Sequence, residues 1–372
     1  MMIYKEGKAK IKYYNEAFLN PKALLSRDLS IAFINAVISK DSKGLSAIDT
    51  TSATGIRGIR YYKETGIKNI TMLEINKTSF NELSKNIKYN KLENKISIFN
   101  TSMQEFANSL DHERYNFIDL DPFGSAAPDL NDIIKLAKDG SYGMITSTDV
   151  AVLCGAHYDA CLKVYSAQPL HNEMCHEVGI RILIGAIART ASLFNFGIKP
   201  EISISYLHYM RVFIKFKHGA LNAVNSYKNT GYISYCKSCG NFEVSKLVPK
   251  NTNCNICGNR YVNAGPLWIG KIQDNKTVMK VKDIMENSKI YPESEKKFIS
   301  SISNEIDYPL YYHIPSITKM MGVKSVSYKK VMDNLVKLGF EVSKTHMSDE
   351  SIKTDANISE VKAAIMMILN QP

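Results

Sequence analysis

No uncharged apolar run in the 372 residues approaches the ~18 needed to cross a bilayer. The most apolar stretch, 182–198, is interrupted by Arg189, so no membrane span is expected. The opening residues MMIYKEGKAKIKYY are charged and lack the apolar core of a signal peptide. A cytoplasmic protein is therefore expected, with its seven cysteines reduced. There are no internal repeats and no low-complexity tracts. Arginine is scarce: 8 of the 47 cations are Arg, so an Arg inside a motif carries information. No feature points to an obligate protein partner.

The chain does contain enough apolar residues, 45%, to build real cores, and its length predicts two or three domains. The net charge of +11 fits a polyanionic partner, and equally a lysine-rich proteome. After a basic segment and a helical pattern over 27–39, strands and helices alternate. The strands are LSAID (45–49), NITMLEIN (69–76), KISIFN (95–100), YNFIDLD (115–121) and SYGMITSTD (141–149). Strands separated by helices of this length predict an α/β fold with a parallel, doubly wound sheet. EISISYLHYMRVFIKF (201–216) reads as one or two late strands. Composition changes near 225. We therefore expect a first domain over 1–225, carrying a basic N-terminal arm, and a second over 226–372. The second divides into a cysteine module (232–270) and a winged-helix-like unit (275–372). In that unit IPSITKMMG and SYKKVMDNLVKLG form helices and FEVSKTHMSDESIKTD forms the wing.

The first strand runs into TTSATGIRG and then a helix, a nucleotide-type loop in which small residues admit a ligand. Glu74 stands 19 residues after Gly55, where an acidic side chain accepts hydrogen bonds from a ribose. The arrangement serves NAD enzymes and S-adenosylmethionine enzymes alike, and Gly55 is the one glycine left where a fuller loop carries three. DPFG (121–124) follows the fourth strand, at the end of the sheet where ligands bind. An acidic residue, Pro and an aromatic at this place resemble the signature of methyltransferases acting on exocyclic base amines. Such an amine is a poor nucleophile, because its lone pair is delocalised into the ring. Asp121 and the Pro122 carbonyl supply acceptors for its N–H protons, and Phe123 a surface for the base. A plain proline turn capping a helix is the blander reading.

Cys236-x-x-Cys239-Gly and Cys254-x-x-Cys257-Gly, 14 residues apart, form a four-thiolate zinc signature. Four protein ligands close the coordination sphere, so the metal is structural. Cys154, Cys161 and Cys175 have no ligand spacing. The arm KEGKAKIKYYNEAFLNPKALLSRD interleaves cations with Tyr and Phe, which suits RNA phosphates and bases, and equally a solvated strand. The helix carrying His171, Glu173, His176, Glu177 and Arg181 reads as a charge-paired surface helix, with a pocket-shaping role as the competing reading.

AFLNPKALLSRDLS (17–30), DTTSATGIRGIRY (49–61), LEIN (73–76), DLDPFGSAAPDL (119–130), TSTDVAVLCG (146–155), HNEMCHEVGIRIL (171–183) and the two knuckles together resemble the tRNA (guanine(26)-N2)-dimethyltransferase family of archaea and eukaryotes. The resemblance spans most of 1–270. It implies a Rossmann-like S-adenosylmethionine methyltransferase domain, and a C-terminal tRNA-binding domain with its zinc module. It implies one or two methylations of the guanosine joining the D and anticodon stems of tRNA. By position, Asp121 is the catalytic carboxylate, with Pro122 beside it, and Phe123 and Phe18 sandwich the guanine. Arg27, Arg57, Gly55 and Asp119 belong with the cofactor residues, and Glu74 is the ribose acceptor. Ser102 and Met103 fall where adenine is contacted, although the family commonly carries an acidic residue near Ser102. Two other readings stay open: a methyltransferase for another exocyclic amine (guanine N2 elsewhere in RNA, or adenine N6), and a non-catalytic zinc-ribbon RNA binder.

Overall fold

A computed structural model describes residues 2–14, 17–38, 43–109 and 114–370. Ser39 of the expected first helix and residues 15 and 16 of the basic arm lie outside them. The chain opens with a hairpin, β1 (Met2–Glu6) and β2 (Ala9–Tyr13), then α1 (Leu24–Val37). The alternating half follows: β3 (Ser46–Asp49), α2 (Ile56–Glu64), β4 (Asn69–Leu73), α3 (Lys77–Tyr89), β5 (Ser97–Phe99), α4 (Met103–Asn108), β6 (Tyr115–Leu120), α5 (Leu130–Leu136) and β7 (Ala137–Ser147). Next come α6 (Val150–Leu153), α7 (Tyr158–Tyr165), α8 (Cys175–Leu193), β8 (Phe196–Tyr206), β9 (Tyr209–His218) and α9 (Ala220–Tyr227).

Seven strands make one sheet in the order β5-β4-β3-β6-β7-β9-β8. The first five are parallel, and β9 and β8 add an antiparallel edge. This is the doubly wound sheet that the strand spacing predicts. Successive central residues face opposite layers: Phe117, Met144 and Phe213 join the core under α1 to α3, and Ile118, Ile145 and Ile214 the core under α5 and α8. A strand buried on both faces has no polar alternation, which is why these segments read as short apolar runs. The winding reverses between β3 and β6. A crevice therefore opens beyond their carboxyl ends, and the loops after β3, β4 and β6 line it.

The three-stranded sheet of the cysteine module has the order β11-β10-β12, from β10 (Thr230–Cys236), β11 (Phe242–Ser245) and β12 (Tyr261–Trp268). It lies on α8. Gly185 permits the approach, because a Cβ there would stand 3.0 Å from Leu267 Cα. Two helices follow, α10 (Asn275–Glu286) and α11 (Glu293–Ser303). Val278, Val281, Met285 and Ile299 of this pair share one core with Leu29 and Phe33 of α1. The expected second domain is thus not a separate body: residues 275–303 cover the first. The last unit has its own core, built from β13 (Tyr312–His313), α12 (Ile314–Met321), α13 (Tyr328–Lys337), β14 (Val342–Lys344), β15 (Ser351–Thr354) and α14 (Ile358–Leu369). In this unit α12 and α13 precede the antiparallel pair β14–β15.

The helix read as a charged surface element is α8, and it is largely buried. Glu177 is fully buried and pairs with Arg181 and, at 2.7 Å, with Lys353 of β15. The i,i+4 pair exists, but it faces the C-terminal unit and not solvent.

Candidate active site

The loop after β3 turns sharply, with Ala53 at φ 45° and Gly55 at φ 86°. A side chain at Gly55 would strike Leu83 Cδ1 at 2.5 Å. This glycine is needed for packing behind the loop, and it is not on the cavity wall. Glu74, just beyond β4, accepts the Ala53 N–H through Oε2 and the Asn76 N–H through Oε1, both at 2.8 Å. Its carboxylate therefore ties two loops together and keeps further lone pairs toward the cavity.

The turn after β6 is fastened to β7. The Gly124 N–H donates to Thr148 Oγ1 at 2.7 Å, the Thr148 N–H donates to Gly124 O at 2.9 Å, and the Asp121 N–H donates to Thr51 Oγ1 at 3.2 Å. Phe123 is left 78% exposed and Phe18 54% exposed. Their rings meet edge to face, with centroids 4.8 Å apart. A base stacked between two rings needs about 7 Å, so the pair must part to form a sandwich.

Beneath this turn lies a buried ionic network. Arg57 of α2 pairs with Asp121, and at 3.4 Å with Asp119. Arg211 of β9 pairs with Asp119 at 2.5 Å and donates to Ser30 at 2.8 Å. Tyr61 also donates to Asp119. Burial would strip the proton from Arg57, but Asp119 and Asp121 outweigh it and push its pKa up. Asp49 ends β3 close by, and burial, with the Asp119 charge adding, pushes its carboxyl up to about 7. One oxygen each of Asp49 and Asp119 has no hydrogen-bond partner. Two guanidiniums thus meet Asp119 and Asp121, while Asp49 is left partly protonated near neutral pH.

A cavity of about 680 Å³ covers this network, within the usual range for a small-molecule site. Phe18, Arg27, Arg57, Glu74, Ser102, Met103, Asp121, Pro122 and Phe123 all line it. Gly55 and Asp119 do not, and Asp119 acts from behind as the anchor of Arg57 and Arg211. The Arg27 guanidinium is held by Glu6 at 2.6 and 2.7 Å and by the Asn20 carbonyl at 3.2 Å. Ser102 caps α4: its hydroxyl accepts the Glu105 N–H at 3.0 Å, and its own N–H donates to Glu105 at 3.2 Å. Its backbone N–H is spent there, and its hydroxyl also engages the Glu105 carboxylate. Sequence reasoning missed Thr51, Thr148, His208, Tyr209 and Arg211. The scarcity of arginine was the one clue to Arg211, which lies in no motif.

In the cysteine module, Gly240 and Gly258 close matching turns onto the carbonyls of Cys236 and Cys254, each at 2.9 Å. Cys236 and Cys257 sulfurs lie 3.4 Å apart, and those of Cys239 and Cys254 3.6 Å. All four fall within 4.8 Å of one another. Sulfurs on a tetrahedral zinc, each ~2.3 Å from the ion, stand about 3.8 Å apart, so the four fit one metal and are too far apart for disulfides.

Among the described residues no helix is long and apolar enough to cross a membrane. The family described as N2,N2-dimethylguanosine tRNA methyltransferase matches residues 2–366. A tRNA (guanine(26)-N(2))-dimethyltransferase of Pyrococcus abyssi is 34% identical over 94% of this chain and 95% of its own. The corresponding protein of Methanosarcina acetivorans is 35% identical over 94% and 92%. Trm1 from Pyrococcus horikoshii, solved in complex with S-adenosyl-L-methionine, superposes with a TM-score of 0.88 at 32% identity, covering 98% of this chain and 99% of that one. The Rossmann-like sheet, the carboxylate-proline turn at its carboxyl edge and the four-cysteine module thus occur together in a chain that belongs to the N2,N2-dimethylguanosine tRNA methyltransferase family.

Proposed function

We propose that this protein transfers methyl groups from S-adenosylmethionine to the exocyclic N2 of the guanosine at position 26 of tRNA, once or twice, in the cytoplasm. The observation that carries the reading is Asp121-Pro122 on the wall of the same cavity as Glu74, at the switch point of the sheet. S-adenosylmethionine, when bound, supplies an electrophilic methyl on a positively charged sulfur. Glu74 would accept hydrogen bonds from the ribose hydroxyls, and Ser102 and Met103 would lie beside the adenine. Asp121 and the Pro122 carbonyl accept the two N–H bonds of the guanine amine and aim its nitrogen. The N–C bond would form as the methyl–sulfur bond breaks and a neutral thioether leaves, and Asp121 would take the proton that nitrogen sheds. Phe123 and Phe18 hold the extruded base. Positioning and hydrogen-bond acceptance do most of the work. Cys236, Cys239, Cys254 and Cys257 hold a structural zinc ion.

The test is mass spectrometry of nucleosides from tRNA incubated with the protein and labelled S-adenosylmethionine. N2-methyl- and N2,N2-dimethylguanosine, lost when guanosine 26 is replaced, are the expected products. Label in an adenosine, or in no nucleoside, would overturn the assignment.

A further inference from the structure

The N-terminal hairpin is built in a way that its own fold does not require. Ala9 and Ile11 of β2 point inward and are buried, as is Glu6 of β1. On the outer face Lys5 lies directly opposite Lys10 in the antiparallel register. Like charges so placed destabilise a hairpin. Among the described residues, carboxylates close by do not relieve them. Glu6 accepts from Arg27 and Arg60 at 2.6 to 2.7 Å. Glu64 accepts from Arg60 at 3.0 Å and from the Lys8 N–H at 2.8 Å, and Glu82 accepts the Ala17 N–H at 3.1 Å. These acids are turned inward, and lysines rest on aromatic rings instead. Lys12 Nζ lies 4.4 Å from the Tyr89 ring centroid, and Lys85 Nζ 5.1 Å from that of Tyr14. Burial and the charge of Lys10 both lower the pKa of neighbouring Lys63. The backbone of β2 is meanwhile bolted to α3, through the Lys12 N–H to Asn86 at 2.8 Å and the Asn90 amide to Lys10 O at 2.6 Å. The charges are held in place and not on a loose tail.

We infer that this face, Lys5, Lys10, Lys12 and Lys85 with the exposed ring of Tyr14, grips the phosphates of the RNA strand that delivers its guanosine to the cavity. The inference rests on the reaction proposed above. Its occupant follows from charge and from continuity. Four cations at fixed positions match a backbone with a charge at every nucleotide. Tyr14 stands four residues before Phe18, at most about 14 Å of chain from a ring that lines the cavity. An exposed aromatic beside lysines suits a nucleotide more than an acidic peptide.

The test uses the full chain with Lys5→Gln, Lys10→Gln and Lys85→Gln combined. We expect the Kd for tRNA, read by fluorescence anisotropy at 0.15 M salt, to rise roughly tenfold or more. The slope of log Kd against log salt should shrink by about 2 to 3, near one per lysine lost. kcat at saturating tRNA and the affinity for S-adenosylmethionine should not move, and Tm should hold or rise as the Lys5–Lys10 repulsion goes. The matching triple Lys→Arg variant should keep wild-type affinity. Unchanged Kd and slope in the Gln variant would overturn the inference, as would a fall in Tm matching the loss of binding. The two readings fail separately. Wild-type protein that binds tRNA through these lysines but methylates nothing would remove the reaction and leave the surface. Methylation with tRNA affinity indifferent to them would do the reverse.

Discussion

The carboxylate of Asp121 divides its oxygens: Oδ2 meets Arg57, which leaves Oδ1 to accept an amine N–H. Arg57 is in turn steadied by Asp119, so the orientation of the Asp121 carboxylate is set two residues deep. Removing Asp121 should therefore affect chemistry far more than cofactor binding. Asp121→Ala is expected to lower methyl transfer by roughly 10² to 10⁴-fold, the usual worth of a positioned proton acceptor. Calorimetry should find the Kd for S-adenosylmethionine within a few-fold of wild type. Methyl incorporation at the wild-type rate would refute this role. At this scale the sequence was informative where chemistry is local. Asp121, Pro122 and Phe123 are adjacent in the chain, and Glu74 stands at a fixed offset from the loop it braces. It was silent on how Arg211 and Tyr61 reach Asp119, and on Ser30, whose hydroxyl accepts from Arg211. Nothing around Arg211 marks it, because its partner is distant in sequence.

The knuckle turns show what an element can specify by itself. Each Cys-x-x-Cys-Gly closes on its own first carbonyl, and the glycines take up φ of 82° and 73° that other residues rarely adopt. Spacing alone therefore brings two sulfurs together, twice. What spacing does not decide is where the finished module sits, and Gly185 of α8 decides that by letting β12 lie flat against the helix. Cys239→Ser should cost the metal, read as a fall in zinc per chain by mass spectrometry, and lower Tm by about 5 °C or more. The S-adenosylmethionine affinity should stay at its wild-type value, since the cavity is built from other elements. Undiminished zinc in that variant would count against the four-cysteine site.

The parts are locked together by charge as well as by apolar contact. Glu177 on α8 joins Lys353 on β15, and also accepts the Leu310 N–H at 2.7 Å. Burial alone would raise its pKa, but Lys353 and Arg181 together hold it at about 2, against 4.5 for a free side chain. A carboxyl depressed in this way contributes stability above pH 4.5, and loses it as pH falls toward 2. Lys353→Met leaves Glu177 buried with one cation instead of two and should cost about 3 kcal/mol at neutral pH, measured by denaturant unfolding. The gap from wild type should narrow between pH 4.5 and 2, and a gap that widened there would contradict the pairing.

The sequence by itself determined the layers and the local motifs. Apolar strand runs, helix-length spacers, the carboxylate-proline turn and the paired knuckles are each complete within a few residues, so local chemistry suffices to read them. The tertiary structure alone decided how distant segments complete one another. It put Arg57 and Arg211 on a single carboxylate and buried α8 between two units. It also laid α10 and α11 over α1, and folded the basic arm into a hairpin against α3. Each of these is a pairing across many residues. The free energy of such contacts depends on what a side chain meets after folding, which neighbours in sequence do not encode.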